Sequence, residues 1–344
     1  MMKVELRSDN AVGVAPEMLA ALAAANHGTE LAYGGDTYTE HLHNLVREVF
    51  EHPSARVFPV TTGTAANSIG LSAMAPPWGA VLCQHNAHII VNEGGATSMF
   101  GAGLVMKGLG GDSFKIDPAE LESFLEATGW GDPHVSQPAV VSLTSPTEYG
   151  TVYDPKEVAT LAETARRWNL GVHMDGARFA NAVARLGCSP ADLTWRAGVD
   201  VLTLGATKNG AMSTDAIVSF DDAASEQLVY RTKRAGHAAS KMRFQSAQLI
   251  AYLTDGLWLE LAGHANRAME RLAAGLGQLD VGFVNDPDVN ILFVTMPPDA
   301  IDRLAESGVL FYRMDESTVR FVTAFVTTDE QVDAAIALVG AALG

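Results

Sequence analysis

The sequence contains few cysteines and comparatively few basic residues. Its 344 residues include two cysteines, Cys83 and Cys188, and no Cys-x-x-Cys motif, so neither a disulfide framework nor a cysteine-rich zinc site is expected. Lysine and arginine together number 23 against 40 aspartates and glutamates, which gives a formal net charge of −17. Nucleic acids and anionic membranes are bound by basic patches, so neither is expected as a partner. A local basic site for a phosphate or a carboxylate remains compatible with this composition.

Long apolar runs are also lacking. No stretch approaches the roughly 18–20 residues that cross a bilayer, and the opening MMKVELRSDNAVG lacks the apolar segment of a signal peptide. We therefore expect a cytoplasmic protein whose two thiols are buried and reduced. Hydrophobic residues make up 48% of the chain and charged residues 18%, as in a globular protein. The length predicts one large domain and a smaller one.

Short apolar runs alternate with amphipathic segments from about residue 56 onward. Asp117-Pro118 and Asp154-Pro155 each place a capping aspartate before a proline, which predicts helices over residues 117–127 and 155–168. The apolar runs are nearly continuous, as is typical of strands covered on both faces. The alternation predicts an α/β domain with a mostly parallel, seven-stranded sheet. The predicted strands are residues 56–60, 80–83, 104–107, 139–143, 171–174, 201–204 and 216–220.

The pattern changes after about residue 240. A long helical stretch over residues 246–276 leads to predicted strands at 291–295 and 319–326, and a terminal helix follows at 329–343. These elements predict a smaller α+β domain. We expect residues 1–245 to form the large domain, with an N-terminal arm of about residues 1–15, and residues 246–344 to form the small C-terminal domain.

Polar residues at the carboxyl ends of the predicted strands are the candidates for function, because ligands of open α/β sheets bind there. The stretch TTGTAAN follows the strand at 56–60 and opens a helix, so Gly63 and Thr64 could offer backbone N–H groups to a phosphate. An ordinary capped glycine turn would have the same residues. The stretch matches neither GxxxxGK[ST] nor GxGxxG, so a nucleotide is not indicated.

The stretch QHNAHIIVNEGG begins where the strand at 80–83 ends. His88 in this position could stack on an aromatic ligand or transfer protons, and a surface or capping histidine is the alternative. His85 lies three residues earlier, but no third ligand follows at metal spacing, so no metal site is expected.

Two further strand ends carry charged residues. In HMDGAR, Asp175 could pair with a protonated ring nitrogen and Arg178 could hold a carboxylate, although a helix cap and a surface charge are simpler roles. In LGATKNGA, Lys208 lies just beyond a buried strand, where desolvation would make its amine a nucleophile towards aldehydes. Most lysines are instead solvated. Together, a phosphate turn, a stacking histidine, an aspartate and a lysine match the needs of pyridoxal phosphate (PLP).

The chain resembles the threonine aldolase family of PLP enzymes, and within it the bacterial low-specificity L-threonine aldolases. The Asp-Gly-Ala-Arg motif with a lysine 33 residues after its aspartate carries most of the resemblance. The matching stretches span nearly the whole chain: RSDN at 7–10, AYGGD at 32–36, TGTAAN at 62–67, Ala87-His88, HMDGAR at 173–178, KNG at 208–210, Met242-Arg243 and RFV at 320–322. The resemblance implies an aspartate aminotransferase-like fold of type I and cleavage of L-threonine, L-allo-threonine and related 3-hydroxy amino acids, such as phenylserine, to glycine and an aldehyde.

The resemblance also implies the roles of individual residues. Lys208 would bond covalently to the cofactor, Asp175 would keep its ring nitrogen protonated, and His88 would stack on the ring. The phosphate would be bound by Gly63 and Thr64, and the substrate carboxylate by Ser8, Arg178 and Arg320, with Arg178 also close to the cofactor. The family's homo-oligomers are dimers of dimers with shared sites, which implies that Tyr33, Arg234 and Arg243 reach the site of a neighbouring subunit.

One departure concerns the general base. Many family members have a histidine in a Thr-His-Asn-Gly segment, where this chain has Thr147-Glu148-Tyr149-Gly150. We take His88 as the first candidate for the base that removes the β-hydroxyl proton and Glu148 as the second. Two readings compete with the aldolase: another fold type I PLP enzyme, a β-eliminating lyase or an aminotransferase, and a non-catalytic module with a vestigial pocket.

Overall fold

The secondary structure is known for residues 3–344, which are the residues that the computed structural model describes. The strands, numbered along the chain, are β1 (Val4–Glu5), β2 (Arg56–Val60), β3 (Gly79–Gln84), β4 (Val105–Leu109), β5 (Gln137–Thr144), β6 (Gly171–Gly176), β7 (Val201–Leu204), β8 (Asp215–Ser219), β9 (Gly282–Phe283), β10 (Ile291–Thr295), β11 (Val309–Leu310), β12 (Tyr312–Arg313) and β13 (Thr318–Val322). The helices are α1 (Pro16–Ala25), α2 (Thr37–Val49), α3 (Gly63–Met74), α4 (His88–Val91), α5 (Ala96–Phe100), α6 (Pro118–Glu126), α7 (Pro155–Arg167), α8 (Phe179–Leu186), α9 (Asp222–Arg234), α10 (Arg243–Leu253), α11 (Leu257–Leu276), α12 (Pro298–Glu306) and α13 (Asp329–Leu343).

A seven-stranded sheet forms the centre of the larger part of the molecule. Its strand order is β2-β8-β7-β6-β5-β3-β4, and only β8 runs antiparallel to its neighbours. The mostly parallel sheet expected from the sequence is therefore confirmed, and every predicted strand of it agrees with the structure to within two residues. The match is close because strands buried on both faces are continuous apolar runs with sharp polar ends.

The two helices predicted from Asp-Pro pairs are also confirmed. Asp117 accepts a hydrogen bond from the Ala119 N–H at 2.8 Å and begins α6. Asp154 accepts from two backbone N–H groups of α7, and the side chain of Glu157 accepts in return from the Asp154 N–H at 2.8 Å, which completes a capping box. Both prolines occupy the first helical turn, where a missing N–H costs nothing.

The single long helix predicted over residues 246–276 is wrong in one respect, because the structure divides it into α10 and α11. At the break Asp255 and Gly256 take positive φ angles of 52° and 73°, and the left-handed backbone ends one helix before the next begins. Glycine adopts this conformation at no steric cost. The predicted strand at 319–326 is similarly shorter, since β13 ends at Val322.

A second, antiparallel sheet of order β12-β13-β10-β9 forms the smaller part of the molecule. Its core is filled from α11, α12 and α13, and by Val4 and Leu6 from the N-terminal arm, whose β1 pairs with β11. Helix α11 contributes Trp258 to the hydrophobic core beside the seven-stranded sheet and Met269 to the core of this smaller part. The division at residue 245 stays a prediction. Over residues 3–344, no helix has both the length and the apolar character needed to span a membrane.

Candidate active site

A cavity of about 330 Å³ opens at the carboxyl ends of the central strands, where the sequence predicted a site. The segments that follow β2, β5, β6 and β7 all contribute to its wall. Seven residues predicted from the sequence line it together with Glu93: Gly63, Thr64, His88, Glu148, Asp175, Arg178 and Lys208. Their convergence follows from the parallel sheet, which brings strand ends that are distant in sequence to one edge.

One end of the cavity is the N-terminus of α3. The Thr62 side chain caps the helix by accepting from the Ala65 N–H at 3.1 Å. The N–H groups of Gly63 and Thr64 precede that bond, and the first N–H groups of a helix have no partner within it. A Cβ built on Gly63 would meet nothing within 4 Å, so the approach to these amides is open. An anion can bind here with support from the helix dipole.

Asp175 lies at the end of β6 with its carboxylate fixed on both oxygens. The Ala177 N–H donates to Oδ1 at 3.0 Å, and the Asn67 side-chain amide donates to Oδ2 at 2.8 Å. The residue is only 2% exposed. A buried carboxylate that is held in this way at a cavity wall suits a partner that carries a proton or a positive charge.

His88 begins α4, and a buried glutamate holds its ring. The Nδ1 atom lies 2.9 Å from Glu93 Oε1, which also accepts from the Asn67 side-chain amide at 2.8 Å. The hydrogen bond to Glu93 raises the pKa of His88 despite the opposing effect of burial. Glu93 Oε2 is buried without a hydrogen-bond partner among the described residues. Glu93 lies between α4 and α5 in the cavity wall.

Glu148 follows β5 and lies against the backbone of His88. Its Oε1 accepts from the His88 N–H at 2.7 Å. Burial, with a further contribution from the negative charge of Asp175, raises the pKa of Glu148 to about 7. A carboxyl with this pKa can exchange a proton at neutral pH.

Lys208 lies in a 3₁₀ turn, Thr207–Asn209, directly after β7. The turn is anchored by Asp215 on the neighbouring strand, whose Oδ1 accepts from the N–H groups of Ala206 and Thr207 at 2.8 and 3.0 Å. Burial, and then the positive charge of Arg178, lower the pKa of Lys208. A lysine whose pKa is lowered has more of its amine in the neutral, nucleophilic form.

Gly205 allows the backbone beside this lysine to approach the end of β6. Its N–H donates to the Gly176 carbonyl at 3.0 Å, and a Cβ at this position would lie 2.2 Å from the Ala177 carbonyl oxygen. We expect Gly205→Ala to lower the free energy of unfolding by about 1–3 kcal/mol, because backbone atoms must move to relieve the overlap. Chemical denaturation measures the change. Gly13→Ala is the matched control, since nothing lies within 4 Å of its Cβ position; equal stabilities for the two variants would contradict the close approach.

Arg178 begins α8 in contact with a carboxylate from the N-terminal arm. Its Nε and Nη2 donate to the two oxygens of Asp9 at 2.6 and 2.9 Å. Arg320, on β13, lies near enough that burial together with the charge of Arg178 lowers its pKa. The Nε of Arg320 is buried without a hydrogen-bond partner among the described residues. Arg178 lines the cavity, whereas Arg320 is not among the residues that line it.

The remaining predicted residues do not line the cavity of their own chain. Ser8 caps a short 3₁₀ turn by accepting from the Asn10 N–H at 3.1 Å, and Asn10 reaches the cavity wall. Tyr33 is 57% exposed, and its ring packs on the Lys233 ammonium at 3.9 Å. Arg234 is exposed at the end of α9, and Arg243 donates to the His27 carbonyl at 3.1 Å. Their predicted roles stay predictions.

Sequence reasoning gave no role to Asp9, Asn67 or Asp215. Each makes hydrogen bonds to a residue or turn of the site, and only Asp215 lies close in sequence to its partner. Asp9 and Asn67 belong to stretches that match the family, RSDN and TGTAAN, which is the one signal that pointed to them.

The fold and the site define a member of the aspartate aminotransferase-like fold type I class. An aspartate aminotransferase from Thermus thermophilus shares this fold with a TM-score of 0.69 at 16% identity, over 99% of this chain and 92% of that one. The family model for beta-eliminating lyases matches residues 5–298, and the chain belongs to that family.

Within the family, the chain is similar to threonine aldolases. It is 38% identical to a low specificity L-threonine aldolase of a Pseudomonas species (strain NCIMB 10558), over 95% of this chain and 94% of the relative. It is 40% identical to the Pseudomonas aeruginosa protein of the same name over the same shares of the two chains. The structure of a threonine aldolase from Leishmania major superposes with a TM-score of 0.92 at 26% identity, covering 99% of this chain and 100% of that one.

Proposed function

We propose that the protein is a PLP-dependent aldehyde-lyase that cleaves L-threonine, L-allo-threonine and related L-3-hydroxy amino acids to glycine and an aldehyde. The observation that carries the proposal is the convergence of Lys208, Asp175, His88 and the α3 N-terminus on one cavity. The two Pseudomonas relatives are named for threonine cleavage, which favours this reaction over β-elimination or transamination.

The residues present fit PLP. The open amides of Gly63 and Thr64 suit a phosphate, and the fixed carboxylate of Asp175 suits a protonated ring nitrogen. Lys208 supplies a buried amine of lowered pKa, as a covalent bond to an aldehyde requires. When bound, the cofactor would supply an aldehyde for that bond and a ring that accepts electrons from the cleaved Cα–Cβ bond.

The chain's own groups bind the substrate and move its protons. Arg178 and Arg320 would hold the carboxylate through their free N–H groups, and Ser8 would assist from the arm. Fixing the carboxylate orients the bond to be broken, and such positioning can remove about 7–11 kcal/mol from a barrier. His88 would stack on the ring, and His88 or Glu148 would take the β-hydroxyl proton.

The surface beside the cavity supports a shared site in a homo-oligomer. Tyr33 packs on Lys233 next to Arg234, and the chain then leads to His237, whose Nδ1 lies 3.4 Å from the Thr61 side chain in the cavity wall. The exposed side chains on this part of the surface include Leu31, Tyr33, Val229 and Tyr230. A second subunit packed here would place Tyr33, Arg234 and Arg243 towards its partner's site. A dimer of dimers is the assembly we propose, and sedimentation analysis tests it.

A cytoplasmic location is part of the proposal. Both cysteines are free thiols in the structure, but only Cys83 is buried as expected, and Cys188 is partly exposed. Burial raises the pKa of the Cys83 thiol to about 12, so it stays protonated and unreactive.

The reaction is tested with a panel of 3-hydroxy amino acids of both configurations at Cβ. Purified protein reconstituted with PLP should release an aldehyde and an equal amount of glycine from threonine or from a bulkier member of the panel. Ammonia together with a keto acid would instead identify elimination. A protein that binds PLP and releases neither product would fit the vestigial pocket.

The pH profile identifies the base. If neutral His88 accepts the proton, kcat/KM rises with pH through the pKa of His88, which Glu93 holds above its usual value. We expect Glu93→Gln to move this acid limb to lower pH, because the variant loses the charge that stabilises the protonated ring. Glu148→Gln should leave the limb nearly in place. The reverse pattern, with a limb near pH 7 that only Glu148→Gln removes, would assign the base to Glu148.

A further inference from the structure

Asp9 is a buried carboxylate that contacts Arg178, and it joins three parts of the chain. It lies in the N-terminal arm and is 3% exposed. Arg178, which follows β6, donates to it at 2.6 and 2.9 Å. The side-chain amide of Asn290, next to β10, donates to it at 3.1 Å. Burial would raise the pKa of Asp9, but Arg178, the charge of Lys208 and the hydrogen bond from Asn290 together outweigh burial and lower it. The group is therefore a buried anion.

The hydrogen bonds to Asp9 use only one edge of the Arg178 guanidinium. A guanidinium has five N–H donors, and Asp9 accepts from Nε and from Nη2. The donors of Nη1 and the second donor of Nη2 remain on the other edge. Arg178 lines the cavity, so the edge left free is available to a ligand. Asp9 and a substrate carboxylate need not compete for the same donors.

Asp9 also sets the charge of this side of the cavity. Burial, and then the positive charge of Arg178, lower the pKa of Arg320, while the negative charge of Asp9 raises it. The carboxylate of Asp9 therefore offsets positive charge from Arg178, Arg320 and Lys208. Asn290 holds the aspartate in place, since its amide also donates to the Thr323 carbonyl at 2.8 Å.

We propose that Asp9 is a positioning residue, which holds Arg178 by its Nε edge and so presents the opposite edge to the substrate carboxylate. The proposal rests on the proposed function, because it assumes that amino acids bind in this cavity. It concerns how the substrate carboxylate is bound and oriented, and it gives Asp9 no part in moving protons.

The test compares Asp9→Asn with wild-type holoenzyme. Asparagine has nearly the same shape but cannot accept both charge-assisted bonds, so Arg178 loses its fixed orientation. We expect the Kd for glycine, measured by titration calorimetry, and the KM for the substrate to rise about 10- to 100-fold. The kcat should also fall, because the carboxylate no longer fixes the direction of the bond to be broken, while the cofactor content should stay unchanged. Unchanged or tighter binding of glycine would overturn the proposal, since it would mean that Asp9 only competes with the ligand.

A matched control is present elsewhere in the chain. Asp333 accepts from Nε and Nη2 of Arg271 at 2.8 and 2.7 Å in the same arrangement, but on the exposed surface of α11 and α13. Asp333→Asn should leave glycine binding and KM unchanged. An equal effect of both variants would mean that the loss is not specific to Arg178.

A double-mutant cycle separates positioning from a general structural role. If Asp9 acts through Arg178, Asp9→Asn should not weaken glycine binding further when Arg178 is already alanine. An additional loss in the double variant would contradict the proposal. If Asp9→Asn does not fold, Asn290→Ala replaces it and should raise the Kd for glycine several-fold; an unchanged Kd would count against the proposal. Failure of the proposed function would appear separately, as no product from any substrate with the wild-type enzyme.

Discussion

Replacing Lys208 with alanine is expected to reduce turnover at least about a thousandfold, because the side chain that would bond to the cofactor is removed. The reconstituted wild type should absorb in the visible range, and the variant should lose that absorbance. Borohydride reduction of the wild type followed by peptide mass mapping should place the reduced adduct on the peptide that contains Lys208.

The control is a lysine on the protein surface, away from the cavity. Lys156 is exposed in the first turn of α7, and Lys156→Ala should retain the absorbance and the turnover. A Lys208→Ala protein with normal spectra and activity, or an adduct on any other peptide, would remove the basis of the proposed function.

Replacing Arg178 with alanine is expected to change stability and substrate binding together. The variant leaves the buried carboxylate of Asp9 without its charged partner, and removing one member of a buried pair costs about 3–5 kcal/mol. It also removes donors for the substrate carboxylate, so KM should rise about 100-fold or more. Denaturant unfolding and steady-state kinetics measure the two effects, and PLP binding should change far less.

Arg320→Ala separates these two effects. Arg320 is half-buried, and the only hydrogen bond of its side chain among the described residues is a long one of 3.4 Å to the Arg7 carbonyl. Its loss should raise KM while leaving the free energy of unfolding nearly unchanged. Adding Asp9→Asn to Arg178→Ala should recover part of the lost stability, because the buried charge is removed with its partner. Equal losses of substrate and PLP affinity in Arg178→Ala would give this arginine a different role.

The sequence predicted the seven strands of the central sheet to within two residues, and it predicted where α6 and α7 begin to within one residue. The strands are local apolar runs, and their polar ends identify the site, so Asp175 and Lys208 could be named from residues close to them in the chain. Helix starts at Asp117 and Asp154 were equally predictable, since a capping bond reaches only two or three residues. The break between α10 and α11 was missed, although Asp255-Gly256 is a dipeptide typical of turns and both residues take positive φ angles.

The hydrogen-bond partners of the site residues were decided by the tertiary structure. Asp9 and Arg178 are 169 residues apart, and Asn67 and Asp175 are 108 residues apart, so no local pattern connects the members of either pair. Glu93 likewise acquires its place from hydrogen bonds to Asn67 of α3 and His88 of α4. Local spacing therefore determined which side chains stand at the strand ends, because strands and caps depend on near neighbours. Their partners, their burial and their protonation depended on segments that only the folded chain brings together.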